Sequence, residues 1–492
     1  MFLGSLFQPK GGWPSAGEAT YLSQPVKSRP LKSDCHSAAS IKAAEWQSLF
    51  NGRDLTGWDK YVASQAEGQP PLGWNNDPKN IFTVADEDGA PAIHVSGEHY
   101  GSITTKAQFT NFHARLEFKW GPKRWAPRAT VGRDSGFLYC AVGDVNPGTG
   151  WMTSVENNIM EKGTGQWWSV NGAIIDTEGE WITDANEPWV PYKREGKGER
   201  NIVYRPGGPR LAVPSSSGIT PEIDMEAVFG NWNTLEVIYW AGNCIHLLNG
   251  HVNLVATLPR YTDKDGRVVP LLHGKLQLQS EGGEVFYRNV QVKSIDELPT
   301  EHFARLQSFA FSDEGFTPLL AGDALKQWKQ SGPGSFEVKD GVASAKGGMG
   351  LWWFAGKQFK NFILRGEFKQ SGTIADSGVF IRFPDPGNDP WVAVKQGHEL
   401  EIGDPNPDNP TWRTGSMYPA KASVTANTKP PGEWNEYELT CLGHNYSVRI
   451  NGQLVTTWTD AEQRSGTGYL GLQNYDDGLT VSHRNLRLKE LP

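Results

Sequence analysis

The sequence predicts an all-β protein that contains two β-sandwich domains in tandem. Runs such as Ala114–Lys119 and Tyr446–Ile450 alternate between apolar and polar side chains, which is typical of strands with one buried face. Asn249-Gly250 and Asn451-Gly452 separate such runs and favour tight hairpin turns, because Asn and Gly tolerate positive φ. A set of motifs also recurs in the same order in both halves of the chain.

The repeated motifs indicate an internal duplication. The pairs are Asn111-Phe112 with Asn361-Phe362, Asp134-Ser135-Gly136 with Asp376-Ser377-Gly378, Trp232-Asn233 with Trp434-Asn435, Asn249-Gly250 with Asn451-Gly452, Leu278-Gln279 with Leu472-Gln473, and Arg288-Asn289 with Arg484-Asn485. Because the order is kept over both halves, each half is expected to fold as one copy of the same module.

The spacing of the motifs predicts the domain boundaries and an insertion. Residues 1–44 read as a leader of low complexity, 45–296 as the first domain, 297–308 as a linker and 309–492 as the second domain. Glu156 and Glu399 are 243 residues apart but Trp232 and Trp434 only 202, so the first copy carries about 41 extra residues, placed at about 170–225. Long insertions are usually surface loops that line a site.

The composition excludes several classes of partner. The chain has 492 residues, a formal charge of −8 and no basic cluster interleaved with aromatic residues, so we do not expect it to bind nucleic acid. No apolar stretch approaches the length of a membrane span. The four cysteines are scattered without metal-type spacing, and the start of the chain lacks a clear signal peptide.

Two acidic segments are the candidate catalytic sites. Glu156, Asn158 and Glu161 follow the first Asp-Ser-Gly triplet, and Glu399, Glu401 and Asp404 follow the second. Positions 0 and +2 of a strand face the same side, whereas position +5 joins them only if a bulge intervenes. Carboxyl groups on one concave face provide general acid and base catalysis on sugars, because like charges raise one pKa and separate the two roles. Alternatively, these are exposed polar residues on the outer face of a sandwich.

Further residues near these segments are candidates for binding substrate. Trp151 and Trp168 flank the first acidic segment and Trp412 flanks the second, where flat rings suit the apolar faces of sugars, although core packing is the alternative. Asp134, Asn158, Gln279, Asp376, Arg382, Tyr418 and Gln473 complete the predicted substrate-binding set. Arg382 could bind a substrate oxygen or pair with Glu399 in the second copy, where the first copy has Cys140. The histidines show no ligand pattern, and a divalent cation held by carboxylates stays open.

The motifs resemble a known family. SLFNGRDLTGW (Ser48–Trp58) resembles the opening motif of the 3-keto-disaccharide hydrolase domain family, and SVENNIMEKGTGQWW (Ser154–Trp168) resembles its acidic segment. GHELEIGD, RTGSMY and NGQLV continue the resemblance through the second copy. The family fold is a concanavalin A-like jelly-roll sandwich, so the resemblance implies two such domains in tandem.

The resemblance also implies a function. It implies cleavage of 3-keto-glycosides or 3-keto-disaccharides by β-elimination followed by hydration, with Glu156 and Glu161 as the base and acid of the first copy. Glu399, Glu401 and Asp404 would be their counterparts, and the protein would be periplasmic or secreted. A retaining glucanase-like glycosidase and a non-catalytic glycan-binding protein are the alternatives that the residues leave open.

Overall fold

The computed structural model describes residues 45–64, 69–182, 201–214, 217–221, 223–306, 315–403, 409–475 and 478–492. Its architecture is two β-sandwiches in tandem with jelly-roll character, and helices are few and short. The predicted fold class is therefore confirmed. The predicted leader, residues 183–200 of the insertion and the position of Asp404 lie outside the described residues.

The first copy contains strands β1–β21. They are β1 (Gln47–Ser48), β2 (Trp58–Ser64), β3 (Pro71–Trp74), β4 (Phe82–Glu87), β5 (Ala90–Val95), β6 (Gly101–Thr105), β7 (Phe109–Thr110), β8 (Phe112–Arg124), β9 (Asp134–Val142), β10 (Thr153–Met160), β11 (Trp167–Val170), β12 (Ala173–Ile182), β13 (Asn201–Tyr204), β14 (Arg210–Val213), β15 (Gly218–Thr220), β16 (Asn233–Trp240), β17 (Asn243–Leu248), β18 (His251–Thr262), β19 (Val268–Pro270), β20 (His273–Ser280) and β21 (Gly283–Ser294).

The second copy contains strands β22–β35 and two short helices. They are β22 (Thr317–Pro318), α1 (Gly322–Leu325), β23 (Trp328–Ser331), β24 (Ser335–Lys339), β25 (Val342–Lys346), β26 (Gly350–Phe359), β27 (Phe362–Gln370), β28 (Ser377–Phe383), α2 (Trp391–Gln396), β29 (His398–Ile402), β30 (Met417–Tyr418), β31 (Asn435–Leu442), β32 (Asn445–Ile450), β33 (Gln453–Thr459), β34 (Gly468–Asn474) and β35 (Val481–Glu490). Turns of 3₁₀-helix occur at Thr300–Leu306 and Pro410–Trp412.

The two copies share one strand order in the sheet that carries the candidate residues. In the first copy the order is β2-β6-β20-β9-β10, continued by β11 and β15. In the second copy it is β23-β26-β34-β28-β29-β30. The opposing sheets run β5-β21-β8-β16-β17-β18 and β25-β35-β27-β31-β32-β33. The duplication seen in the sequence is therefore a duplication of strand topology.

The apolar side chains of the alternating strands fill the space between the two sheets of each copy. Phe112, Ala114, Leu116 and Phe118 of β8 are all buried, while the residues between them are half-buried. Each large apolar side chain removed from water contributes about 1.5–3 kcal/mol. One face of each strand therefore belongs to the core, which leaves the other face of β9, β10 and β20 for polar residues.

A β-bulge occupies the same place in both copies. Cys140 has φ 52° and Arg382 has φ 56°, and the register with the neighbouring strand shifts beside each of them. A left-handed backbone at a non-glycine residue is uncommon, so its repetition is a further sign of common descent for the two copies.

The insertion forms strands, where the sequence suggested a surface loop. β12 pairs with β18 and β14 in one sheet and with β13 in the other, and β15 pairs with β11. The strands extend both sheets because the segment supplies β-branched residues such as Ile174, Ile175 and Val213 at positions that meet existing edges.

The two sandwiches are joined by specific contacts. Asn111 Nδ2 donates to Asn445 Oδ1 at 2.7 Å, and Trp240 Nε1 donates to Thr459 Oγ1 at 2.9 Å. The backbone N–H of Leu298, in the predicted linker, donates to Thr457 Oγ1 at 3.1 Å. The linker is therefore packed against the second sandwich. No helix among the residues described is long and apolar enough to cross a membrane.

Candidate active site

The candidate site of the first copy lies on the outer face of the sheet formed by β9, β10 and β20. Alternation along β10 puts Val155 and Ile159 in the core, so Glu156 and Asn158 face outward. They line a cavity of about 390 Å³, within the range of small-molecule sites. Its other lining residues are Arg128, Asp134, Asn146, Thr149, Trp151, Met160, Trp168, Ser169, Val170, Asn171 and Glu281.

Gly136 creates the space in which the Glu156 carboxyl lies. A Cβ atom on Gly136 would stand 1.9 Å from Glu156 Oε1 and 2.4 Å from Gln279 Oε1. The direct strand partner of Gly136 on β10 is Asn158, so the Glu156 carboxyl reaches this space diagonally, and Gln279 reaches it from β20. The missing side chain lets both polar groups meet above the middle strand. The glycine of the repeated Asp-Ser-Gly motif thus positions the predicted catalytic carboxylate.

An arginine and two further carboxyl groups share the cavity with Glu156. Arg128 Nη2 forms an ion pair with Asp134 and lies 3.2 Å from Glu281 Oε1. Desolvation raises the pKa of Glu281 to about 7, although Arg128 opposes the shift. Desolvation and the charge of Glu281 also raise the pKa of Asp134. Glu281 therefore changes its protonation state near neutral pH, as a catalytic acid or base must.

Glu156 lies in a different electrostatic environment from Glu281. Desolvation raises its pKa well above the usual carboxyl value, and the charges of Glu281 and Asp134 raise it further. The charge of Arg128 opposes this shift only in part. Two carboxyl groups in different environments within one cavity can divide the roles of acid and base.

Aromatic and amide side chains form the walls of the cavity. Trp151 stacks on Tyr100 with ring centroids 6.0 Å apart. Trp168 lines the same cavity, and Gly218 makes room for its indole ring. Asn158 Nδ2 lies 3.4 Å from Gln166 Oε1. The structure therefore brings the predicted binding residues Trp151, Trp168, Asn158, Asp134 and Gln279 together around Glu156.

Glu161 does not join this group. It stands just beyond the end of β10, where its carboxyl accepts hydrogen bonds from Arg124 Nη2 and Arg133 Nη1, each at 3.0 Å. It also accepts from the backbone N–H of Arg133 at 3.2 Å. Without a bulge between Glu156 and Glu161 the strand keeps its parity, so Glu161 ties the β10–β11 turn to neighbouring strands.

The second copy places its predicted carboxyls on the equivalent face. Glu399 and Glu401 are buried on β29, and Gly378 makes room for Glu399, since a Cβ there would stand 1.9 Å from Glu399 Oε1. Desolvation and the charge of Asp376 raise the pKa of Glu399 to about 8. Desolvation, followed by the charges of Glu399 and Asp376, also raises the pKa of Glu401. Gln473 occupies the position that Gln279 has in the first copy.

Other predicted residues of the second copy lie elsewhere. Arg382 is fully buried and donates to Lys360 O at 3.1 Å and to Tyr446 Oη at 2.8 Å, so it is a structural residue and the prediction of a substrate contact is corrected. The bulge turns its side chain away from Glu399. Tyr418 is the strand partner of Glu399, and Trp412 is exposed beyond the end of β29. Asp404 lies outside the described residues.

Sequence reasoning missed Arg128 and Glu281. Arg128 stands in the loop between β8 and β9, where no repeated motif marks it. Glu281 stands two residues after the repeated Gln279, at the place where the second copy has Tyr475. A comparison of the copies at that position could have identified an acidic residue peculiar to the first. Within the described ranges, no group of three or more His, Cys, Asp or Glu side chains has the geometry of a metal site.

Comparisons with solved structures find proteins of low identity to this chain. A candidate glycosyl hydrolase from Parabacteroides distasonis ATCC 8503 is 22% identical over 40% of this chain and 100% of its own, with a TM-score of 0.32. A second one from the same organism is 23% identical over 36% and 99%, with a TM-score of 0.31. The carbohydrate-binding module CBM66 from Bacillus subtilis is 10% identical over 33% and 96%, with a TM-score of 0.25.

The search of curated proteins found no match. A family model, by contrast, matches both copies, over residues 45–293 and 315–489, and so covers most of the chain. It describes the family whose motifs the sequence resembles. The protein therefore belongs to the family of 3-keto-alpha-glucoside-1,2-lyase-like domains.

Proposed function

We propose that the protein is a carbohydrate-active hydrolase that cleaves 3-keto-glycosides by β-elimination and hydration, and that its first copy carries the reaction. The observation that supports this most is the cavity of about 390 Å³ in which Glu156, Glu281 and Arg128 converge. A cavity of this size suits a small saccharide more than a polymer. Family membership supports the choice of a keto-sugar.

Glu281 is the base and Glu156 the acid in this proposal. Arg128 contacts Glu281 directly and favours its ionised form, whereas burial and two neighbouring carboxyls favour the protonated form of Glu156. This replaces the predicted pair of Glu156 with Glu161, because the Glu161 carboxyl is bound to Arg124 and Arg133 outside the cavity. Each proton transfer of this kind contributes about 100- to 10,000-fold to a rate.

Arg128 is the electrophile, in place of Arg382. A ketone at C3 acidifies the C2 proton, and removal of that proton moves negative charge onto the C3 oxygen. A guanidinium in a partly buried cavity stabilises this oxyanion more than it would in solution. Asp134 and Glu281 hold Arg128 from two sides, so little reorganisation is needed during the reaction.

The proposed cycle balances in protons and bonds. Glu281 removes the C2 proton, the C1–C2 double bond forms as the bond from C1 to the leaving oxygen breaks, and Glu156 protonates that oxygen. In the second half the Glu156 carboxylate takes a proton from water, whose oxygen bonds to C1, while Glu281 returns its proton to C2. The sum is hydrolysis, and both carboxyl groups return to their starting states.

A substrate labelled at C2 tests this mechanism. A 3-keto-glucoside with deuterium at C2 should be cleaved more slowly than the unlabelled compound, because the C2–H bond breaks during elimination. Equal rates, together with equal cleavage of the unoxidised glucoside, would instead indicate an ordinary glycosidase. Binding of either sugar without turnover would indicate a glycan-binding protein.

A further inference from the structure

A buried amide beside the proposed acid has no hydrogen-bond partner of its own. Gln279 is fully buried, and neither its Oε1 nor its Nε2 meets a partner among the described residues. The described residues that line the cavity include Glu156 but not Gln279. Leaving a buried amide unpaired destabilises a folded protein, so an amide kept in this state calls for an explanation.

The neighbouring amide on the same face of β20 is fully paired. Gln277 Nε2 donates to Ser102 Oγ at 3.0 Å and to Thr104 Oγ1 at 2.9 Å. Its Oε1 accepts a hydrogen bond from the backbone N–H of Met152 at 3.0 Å. Gln277 is therefore fixed in one orientation, whereas no side-chain hydrogen bond to a described residue fixes the amide of Gln279.

Gly136 brings this free amide to the Glu156 carboxyl. A Cβ on Gly136 would stand 1.9 Å from Glu156 Oε1, 2.4 Å from Gln279 Oε1 and 2.8 Å from Gln279 Cδ. Since these atoms surround one point above Gly136, the carboxyl and the amide are neighbours. The backbone of Gln279 is held in this place, because Ser135 Oγ donates to its carbonyl oxygen at 2.7 Å.

The proposed cycle changes what Glu156 needs from its neighbour. As a neutral acid its O–H donates a hydrogen bond, and as a carboxylate it only accepts one. A primary amide carries both an acceptor and a donor, and a half turn of its last torsion exchanges the two. Because neither polar atom of the Gln279 side chain is bound elsewhere, this half turn breaks no hydrogen bond to a described residue.

The charged and titratable groups around Glu156 are already engaged or have the wrong charge. Glu281 and Asp134 raise its pKa through their negative charges, and Arg128, which opposes them, is held between these two carboxyls. The hydroxyl of Tyr287 is hydrogen-bonded within the core. Among these neighbours, only the amide of Gln279 has a donor and an acceptor that are both free.

We propose that Gln279 is a positioning residue for Glu156, whose amide accepts a hydrogen bond from the neutral carboxyl through Oε1 and, after a half turn, donates one to the carboxylate through Nε2. Its role in turnover rests on the proposed reaction. The exchange of hydrogen bonds is a property of the folded protein itself, so it is tested without substrate. Gln279 acts through Glu156 and does not contact the sugar.

Nuclear magnetic resonance of the full chain with isotope-labelled glutamine tests the exchange. The side-chain amide signal of Gln279 is identified by its absence in Gln279→Met or, should that variant not fold, in the isosteric Gln279→Glu. This signal should shift with pH as Glu156 ionises, and the shift should disappear in Glu156→Gln, which cannot ionise. A signal that ignores pH, or a shift that persists in Glu156→Gln, overturns the proposal.

Steady-state cleavage of a 3-keto-glucoside tests the role in turnover. Gln279→Met should lower kcat by about 10- to 100-fold with KM nearly unchanged, because a hydrogen bond to a charged group is lost away from the sugar. The alkaline limb of the kcat/KM profile, where Glu156 ionises, should move up by about one pH unit or more, since the carboxylate loses its donor. Gln473→Met, the corresponding buried amide of the second copy, is the matched control and should change none of these values.

The outcomes separate this proposal from the proposed reaction. A higher KM with an unchanged alkaline limb would show that Gln279 only packs, which overturns the proposal. If the parent protein cleaves no keto-sugar but the Gln279 signal follows the ionisation of Glu156, the proposed reaction fails and the hydrogen-bond exchange stands. If the parent cleaves keto-sugars and the signal does not follow Glu156, the reaction stands and the exchange fails.

Discussion

Gly136→Ala is the substitution that most sharply tests the role of Glu156. The added Cβ would lie 1.9 Å from Glu156 Oε1 and 2.4 Å from Gln279 Oε1, while real Cβ contacts stay above 3.0 Å. The carboxyl must therefore withdraw by about 1.1 Å, and a displacement of about 1 Å in a catalytic group costs about 100-fold in rate. Gly136 does not have positive φ, so alanine introduces no backbone strain.

The internal repeat supplies a matched control for this experiment. In Gly378→Ala the new Cβ would lie 1.9 Å from Glu399 Oε1, which imposes the same displacement on the second copy. Steady-state cleavage of a 3-keto-glucoside should fall about 100-fold in Gly136→Ala and stay unchanged in Gly378→Ala. Circular dichroism and thermal unfolding establish that both variants fold. Full activity in Gly136→Ala would refute the assignment, and loss only in Gly378→Ala would move the active site to the second copy.

Further predictions concern charge, pH and the junction of the two copies. Because Glu281 must be ionised to act as the base, kcat/KM should fall as the pH drops below about 7, and Glu281→Gln should lose at least about 100-fold and that pH dependence. Arg128→Lys should lower kcat, since an ammonium cannot contact Asp134, Glu281 and the substrate oxygen with the same fork; unchanged kcat would contradict its role. Because the pKa of Glu399 is raised to about 8 in the folded state, the parent protein loses stability as pH rises from about 4.5 towards about 8. The difference in unfolding free energy between Glu399→Gln and the parent, measured in urea, should therefore shift in favour of the variant by up to a few kcal/mol between pH 5 and pH 8. Thr457→Val removes the acceptor of the buried Leu298 N–H and should cost about 1–3 kcal/mol of unfolding free energy; no change would show that this contact does not hold the copies together.

The fold was predictable from the sequence because its signals are local and repeated. Alternation along β8 fixes which side chains enter the core, and the same alternation along β10 puts Glu156 and Asn158 on the outer face. The Asp-Ser-Gly repeat marked the middle strand of each site. Strand alternation also predicts that position +5 faces the opposite side unless a bulge intervenes, and the Glu161 carboxyl does lie away from Glu156, where it binds Arg133.

The rest of the site depends on contacts that are distant in sequence. Arg128 reaches the cavity from a loop, and Glu281 from the end of β20, which is far from Glu156 along the chain but adjacent across β9. No local pattern encodes such a meeting. Arg382 was misleading for a related reason, because a bulge reverses the direction of its side chain and directs it to Lys360 O and Tyr446.

The length difference between the copies predicted the position of the insertion but not its secondary structure. Its length predicted an addition to the first copy, and residues near its start, Trp168 and Asn171, do line the cavity. Its described residues nevertheless pair as strands with β11 and β18, since exposed sheet edges are ready partners for any segment rich in β-branched residues.

Turnover of 3-keto-trehalose and a 3-keto-β-glucoside, beside their unoxidised parents, tests the central claim most directly. Parent protein, Glu156→Gln and Glu399→Gln should be compared, each with and without a chelator to test for a divalent cation. We expect cleavage of at least one keto-sugar and of neither unoxidised sugar. Activity should be lost in Glu156→Gln and retained in Glu399→Gln. Cleavage of the unoxidised parents, or full activity in Glu156→Gln, would contradict it.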